Sequence, residues 1–277
     1  MDTTNRRAFL RHSTTGLIGL GLSAGAVSAP RESFAAEKTK VAVVRNPKAI
    51  SDRNVVDPKQ AALTVEKALV SLTGKMNARE AWTALGLVKS DVVGIKINCN
   101  AAGFFLSAHT ELVTALAESM SAIIPITNVI VYDRSDSELT RGGFKINTDG
   151  PGMRCYSTEH DGAYHPQEEL SRIVTDRCTK LINMPSLKAF EGGFAGSLFL
   201  KNHIGTLPRA EMPRCHSNKS FCPEVCARPS IKTKTILAFC DGLRGTYSRS
   251  EPWYWGGVIA SRDQIAAECV ALGIINE

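Results

Sequence analysis

The chain has 277 residues, of which 43% are hydrophobic and 22% are charged, and its formal net charge is +6. These values are ordinary for a globular protein with a large buried core, so we expect one large domain or two small ones. The first 35 residues contain four arginines and two acidic residues and carry +2 of the charge. The remaining charge is too weak and too scattered for a nucleic-acid-binding protein, whose basic residues cluster on one face.

The amino terminus has the pattern of an export signal. Arg6 and Arg7 are followed by Phe9 and Leu10, and then by a glycine-rich apolar run over residues 16–27. This arrangement resembles a twin-arginine signal, and the apolar run is too short to span a bilayer as a stable helix. The alternative is a basic terminus next to an anchor helix.

The export signal leads to expectations about the whole chain. We expect residues 1–35 to be a twin-arginine signal peptide, cleaved after Ala35 or after Ser28, with the twin-arginine export machinery as a partner. The protein is then expected in the periplasm or otherwise exported, with no stable membrane span in the mature chain. This route carries folded chains, often with an inserted cofactor, so it favours a bound metal or redox group.

From residue 36 onward, short apolar runs alternate with helical stripes. In chain order we predict a strand at 40–45, helices at 59–72 and 77–85, a strand at 91–99, a helix at 110–124, a strand at 128–133, a helical turn at 138–142, strands at 178–184, 233–241 and 257–260, and a closing helix at 263–272. Segments 145–167 and 208–229 show neither period and are predicted to be irregular. This alternation predicts a single α/β domain over residues 36–277, with a mostly parallel sheet covered by helices on both faces.

The stretch over residues 181–205 combines a strand, a loop and a helix. Its apolar first half stops at Pro185, and its second half has apolar residues near helical spacing. Lys188 is expected just beyond the strand, at the sheet edge where open α/β sheets bind ligands. A lysine there indicates an anionic or carbonyl-bearing ligand, whereas the alternative for any single lysine is a solvated surface charge.

Polar residues also follow several other predicted strands. Their accumulation at one sheet edge is the pattern of an α/β active site. We take four as candidate catalytic residues and five as candidate ligand-binding residues: Lys96, Asp133, Lys188 and Asp241 in the first group, and Asn98, Arg134, Lys201, Asn202 and His203 in the second.

The lysines and aspartates of this set suggest two kinds of ligand. Lysines paired with aspartates orient a carboxylate or a phosphate, and Asp133 with Asp241 would suit a hard divalent cation. The alternative for each aspartate is a cap on the following helix or a role in a turn.

Three of the eight cysteines lie in the irregular segment, at Cys215, Cys222 and Cys226. In an exported protein, one pair is expected to form a disulfide, and Cys222 with Cys226 is the nearer pair in sequence. The alternatives are free thiols or a site for a divalent metal or an iron–sulfur cluster, although no standard ligand spacing is present.

The chain lacks the glycine-rich dinucleotide motif, the phosphate-binding lysine loop, the serine-hydrolase elbow and the Cys-x-x-Cys pair. Nucleotide-loop enzymes and serine hydrolases are therefore poor interpretations of this sequence.

Several short motifs, taken in order, resemble the family catalogued as domain of unknown function 362. They are Val93-Gly-Ile-Lys-Ile-Asn-Cys99, Val131-Tyr-Asp-Arg134, Glu138-Leu139, Gly142-Gly-Phe144, Leu181-Ile-Asn-Met-Pro-Ser-Leu-Lys188, Leu200-Lys-Asn-His203, Cys240-Asp-Gly-Leu-Arg-Gly245 and Gly257-Val-Ile-Ala-Ser-Arg-Asp263. The resemblance implies an α/β domain, joined in some relatives to a ferredoxin-like iron–sulfur module that is not found here. It implies no particular reaction.

Two hypotheses about function follow from the sequence. The first is an exported enzyme or binding protein for a small anionic ligand, which is held by Lys96, Lys188 and Lys201 with Asp133 and Asp241 at the strand ends. The second is a metal-carrying or iron–sulfur redox protein that uses the segment from 215 to 226.

Overall fold

A computed structural model describes residues 39–100, 107–189, 196–218, 220–247 and 252–277. The predicted signal peptide, residues 1–35, lies outside the described residues, as do residues 190–195 of the strand-loop-helix stretch. From Lys38 to Glu277 the chain belongs to one compact unit.

Eight strands of the described chain form a single sheet. They are β1 (Val41–Arg45), β2 (Val93–Lys96), β3 (Val129–Tyr132), β4 (Arg154–Cys155), β5 (Lys180–Asn183), β6 (Ser186–Ala189), β7 (Thr235–Tyr247) and β8 (Gly257–Ser261). Their order across the sheet is β1-β8-β7-β5-β2-β3-β4, and β6 also pairs with β7. Strand β8 runs antiparallel to β1 and β7, and every other pair is parallel, so the predicted mostly parallel sheet is confirmed.

The helices are α1 (Pro58–Thr73), α2 (Ala78–Ala84), α3 (Thr110–Glu118), α4 (Asp136–Arg141), α5 (Thr158–Asp161), α6 (Phe199–Asn202), α7 (Arg214–Ser217), α8 (Phe221–Cys226), α9 (Pro229–Lys234) and α10 (Gln264–Asn276). Turns of 3-10 helix lie at Pro47–Ala49, Ile126–Asn128 and His203–Thr206, and a π-helical turn lies at Ile173–Arg177. Helix α1 begins where Asp57 accepts hydrogen bonds from the next turn, and it ends at Gly74, whose φ is +70°. As predicted, Asn77 caps α2.

Alternate residues along the strands pack against helices on opposite faces. On β3, Val129 and Val131 belong to the core that contains α1, α2 and α3, whereas Ile130 and Tyr132 belong to a second core with the π-helical turn and α8. A third core packs α10 against β7 and β8. This two-sided burial confirms the predicted α/β class.

Strand β6 is the element that positions the candidate site, and the sequence did not predict it. Pro185 ends β5, and its carbonyl accepts a hydrogen bond from the Asp241 amide at 2.9 Å. The chain then resumes as β6 alongside β7, which extends six residues beyond its predicted end at 241. The β6–β7 pair therefore continues the sheet past the carboxyl end of β2.

Within the described ranges, no helix is both long enough and apolar enough to cross a membrane.

Candidate functional site

A buried ion pair lies at the carboxyl ends of β2 and β3. Lys96 ends β2 and Asp133 follows β3, and the parallel register of these strands places the two side chains side by side. The Lys96 Nζ lies 2.7 Å from Asp133 Oδ1 and also donates to the Ile97 carbonyl at 2.7 Å. The other carboxylate oxygen accepts from the Cys99 amide at 2.5 Å. Two predicted site residues are thus brought together and neutralise each other, as a buried pair must.

Amide side chains extend this pair toward β5. Asn202 donates to the Lys96 carbonyl and to Asn183 Oδ1, both at 2.8 Å, and its own Oδ1 lies 3.4 Å from Lys96 Nζ. Asn202 was predicted as a site residue from the sequence, whereas Asn183 was not, although it is the polar end of the apolar run of β5. Gly205 packs against the ion pair, because a Cβ there would lie 2.8 Å from Asp133 Oδ1.

His203 is fully buried next to the same pair. Neither of its ring nitrogens has a hydrogen-bond partner among the described residues. Burial and the nearby charge of Lys96 lower the pKa of His203 to about 3, so the ring is neutral and offers one donor and one acceptor. Buried polar atoms normally have partners, so this histidine, a predicted ligand-binding residue, has the capacity to bind one more group.

Lys188 lies in the middle of β6 instead of in the predicted loop beyond the strand. Only 2% of its surface is exposed, and its Nζ donates to Asn98 Oδ1, so two more predicted residues meet here. Burial lowers the pKa of Lys188 to about 7, and the positive charges of Lys96 and Lys201 act in the same direction, against Asp133. The amine is therefore poised between its charged and neutral forms near neutral pH.

Asp241 lies inside β7, not at the strand end where it was predicted, and joins a second polar cluster. Its Oδ2 accepts from the His109 amide at 2.7 Å and lies 2.8 Å from His109 Nδ1. Burial alone would raise the pKa of Asp241, but His109 and Arg244 outweigh it, so the pKa is below its ordinary value. Arg244 in turn donates to Asn54 Oδ1 at 2.6 Å. The sequence analysis missed His109, whose only signal was its place just before α3.

Arg134 and Lys201 are only partly buried, unlike the other predicted site residues. Arg134 pairs with Glu138 four residues later, and its side chain is 28% exposed. Lys201 lies in α6, and its positive charge lowers the pKa of His216 and contributes to the lowered pKa of Lys188 and of Cys215.

The cysteine segment is helical, which corrects the prediction of an irregular loop. Cys215, Cys222 and Cys226 lie in α7 and α8, and all three are buried. Every cysteine of the chain is a free thiol here, so the predicted Cys222–Cys226 disulfide is absent. The expectation failed because it assumed that this segment had no apolar core, whereas Cys215 and Cys222 pack within the second core.

The thiols have different neighbours. A hydrogen bond with the Cys222 thiol lowers the pKa of Cys215 to about 7, with help from Lys201, and raises the pKa of Cys222. The Cys226 thiol donates to the Leu200 carbonyl at 3.3 Å. Cys222 therefore interacts more strongly with Cys215 than with Cys226, which is nearer in sequence.

The predicted cation ligands do not converge. Asp133 is occupied by Lys96 and Asp241 by His109, in two separate clusters. Within the described part of the chain, no group of three or more His, Cys, Asp and Glu residues is arranged to hold a metal ion.

A scan against protein-family models and searches of curated proteins and of solved structures found no match to this chain. The function must therefore be argued from the residues at the sheet edge.

Proposed function

We propose that this protein binds a small anionic ligand in the crevice at the carboxyl ends of β2, β3 and β5, and that Lys188 contacts the ligand directly. The observation that carries the proposal is the burial of Lys188 beside a second lysine, Lys96. Burying an ammonium group is unfavourable, and here the effect of burial outweighs the opposing charge of Asp133. A bound anion would stabilise the charged amine.

The protonation state of Lys188 supports this role. With a pKa of about 7, the amine can take a proton from solution when an anion arrives, or act as a base or nucleophile toward a carbonyl group. A lysine that is desolvated and next to another cation is a recurring form of activated amine. An enzyme acting on a carbonyl-bearing anion would use the same geometry as a binding protein.

His203 supports the same crevice as a binding site. Its buried ring nitrogens lack partners in the described chain, and the charge of Lys96 acts on the ring, so the imidazole lies near the Lys96–Asp133 pair. A ligand oxygen or hydroxyl would complete the hydrogen bonding of the imidazole. The ion pair would then hold the surrounding backbone in position without contacting the ligand itself.

Two further proposals concern export and family. We propose that the chain is exported by the twin-arginine route and that it is a relative of the domain of unknown function 362 family. A metal-linked or iron–sulfur redox function for Cys215, Cys222 and Cys226 is the second candidate, and the lowered pKa of Cys215 supports it because the thiolate is the form that binds metals.

Calorimetric titration with acetate and with inorganic phosphate tests the proposed site. Lys188→Met keeps most of the side-chain volume and removes the amine. Because a hydrogen bond to a charged group contributes about 1.5–3 kcal/mol, we expect this variant to bind the anion roughly 10- to 100-fold more weakly. Lys180→Met, at the opposite end of β5, is the matched control and should bind as the wild type does. Equal affinities for wild type and Lys188→Met would refute the proposal.

A further inference from the structure

One face of the β6–β7 ladder carries four polar side chains. Ser186 and Lys188 are two residues apart on β6, and Arg244 and Thr246 are two apart on β7, so each pair projects to one side of its strand. The parallel register pairs Lys188 with Thr246 and Ser186 with Asp241, and it shifts between Ser186 and Leu187. Lys188 and Thr246 therefore share a face, and Ser186 lies on the same face one step along β6. Arg244 comes just before Gly245, in the part of β7 where the register shifts.

These four side chains are all at least 94% buried, with exposed fractions of 6% for Ser186, 2% for Lys188, 5% for Arg244 and 2% for Thr246. The hydroxyl oxygens of Ser186 and Thr246 have no hydrogen-bond partner among the residues that the structure describes. A buried hydroxyl without a partner destabilises the folded protein, because it has lost its hydrogen bonds to water. Two such hydroxyls occur near two basic side chains. This combination indicates that a hydrogen-bond acceptor for the hydroxyls belongs here.

The same face borders the proposed ligand crevice. Lys188 donates to Asn98, just after β2, and Arg244 donates to the Ser107 carbonyl at 3.1 Å, just before α3. Both basic side chains therefore contact described residues between β2 and α3, namely Asn98 and Ser107. An acceptor for the two hydroxyls would therefore lie in the crevice in which we place the anionic ligand.

We infer that Ser186, Lys188, Arg244 and Thr246 form a cradle for a phosphate group, so that the ligand is inorganic phosphate or a small phosphate monoester. This inference rests on the proposed function. Two hydroxyls, an ammonium and a guanidinium offer four donor groups, which suits the three terminal oxygens of a phosphate better than the two oxygens of a carboxylate. The guanidinium supplies a planar fork and the ammonium a compact charge, both of which bind phosphate well.

The double variant Ser186→Ala with Thr246→Val tests the cradle without removing a charge. Because both hydroxyls lack partners in the described chain, their removal should leave the stability unchanged or raise it. Calorimetric titration with inorganic phosphate and with methyl phosphate should show binding to the wild type, weakened about 10- to 100-fold for each hydroxyl lost. Affinity for acetate, which has fewer oxygens to satisfy, should fall less. Tyr132→Phe removes another buried hydroxyl without a described partner, on β3, and should leave phosphate affinity unchanged.

Two results would overturn the cradle. One is a wild-type protein that binds neither phosphate probe, and the other is a double variant that binds both probes as tightly as the wild type does. The proposed function fails by a different result, namely that Lys188→Met changes the affinity for none of the probes, acetate included. If Lys188→Met weakens acetate binding while the double variant leaves phosphate binding unchanged, the anion site stands and the phosphate cradle does not.

Discussion

The burial and the lowered pKa of Lys188 could not be predicted from its neighbours in the sequence. The residue type and its place after an apolar run predicted a ligand contact, but its burial and its lowered pKa depend on β6, Asn98 and Lys96, which are distant in sequence. The contact between His109 and Asp241 could not be predicted for the same reason, because the two residues are 132 positions apart in the chain. A sequence pattern identifies candidate groups, whereas their protonation depends on what surrounds them.

The lowered pKa of Lys188 predicts how stability depends on pH. The ordinary pKa of 10.5 in the unfolded chain exceeds the folded value of about 7, so the unfolded state binds more protons between these values. Below about pH 7 the buried ammonium lowers the free energy of unfolding by its full amount, and this destabilisation disappears as the pH rises toward 10.5. The free energy of unfolding of the wild type should therefore rise across this window relative to that of Lys188→Met.

Denaturant unfolding of both proteins at several pH values measures this difference. The Lys180→Met variant should follow the wild type, since Lys180 lies at the amino end of β5, away from the site. A constant difference between wild type and Lys188→Met across the window would show that Lys188 keeps an ordinary pKa.

Strand β7 determines the shape of the site. Its first half pairs with β5 and its second half with β6, and Trp253 pairs with Gly245 through two backbone hydrogen bonds of 2.8 and 3.0 Å. Strands β2, β3 and β5 could be predicted because each is a short apolar run. Strand β6 could not, because Ser186–Ala189 becomes a strand only through pairing with residues 241–247. Asn183 and the cradle face were missed for the same reason.

Gly245→Ala tests the packing of this strand. A Cβ at residue 245 would overlap the Trp253 ring, so the ring or the strand must move. Overpacking of this kind destabilises a protein by about 1–3 kcal/mol. Gly273→Ala is the control, because residue 273 lies in α10 with nothing within 4 Å of the added Cβ, and this change should stabilise by roughly 0.5–1 kcal/mol. Equal unfolding midpoints for the two variants would contradict the packing described here.

The chain as a whole combines one α/β unit, from Lys38 to Glu277, with the predicted export signal that precedes it. The alternation of strands and helices was enough to predict the fold class. The strand order was not predictable, since β8 reverses direction between β1 and β7, and this reversal depends on pairings far apart in the chain.

The export proposal is tested by changing the paired arginines alone. Arg6→Lys with Arg7→Lys keeps the positive charge and removes the two guanidinium groups that the export route reads. We expect the double variant to remain unprocessed in the cytoplasm, as judged by cell fractionation and by the mass of the chain. An Arg11→Lys variant is the matched control and should be processed normally. Normal processing of the double variant would rule out the twin-arginine route.

The most direct test of the anion site is the reactivity of Lys188 toward acetic anhydride as a function of pH, read by mass spectrometry with and without phosphate. Only the neutral amine reacts, so the rate reports its pKa. In the free protein we expect a midpoint near the lowered pKa of about 7. With saturating phosphate the midpoint should move upward, because the anion stabilises the ammonium. A midpoint near 10.5 that phosphate and acetate leave unchanged would contradict the central claim.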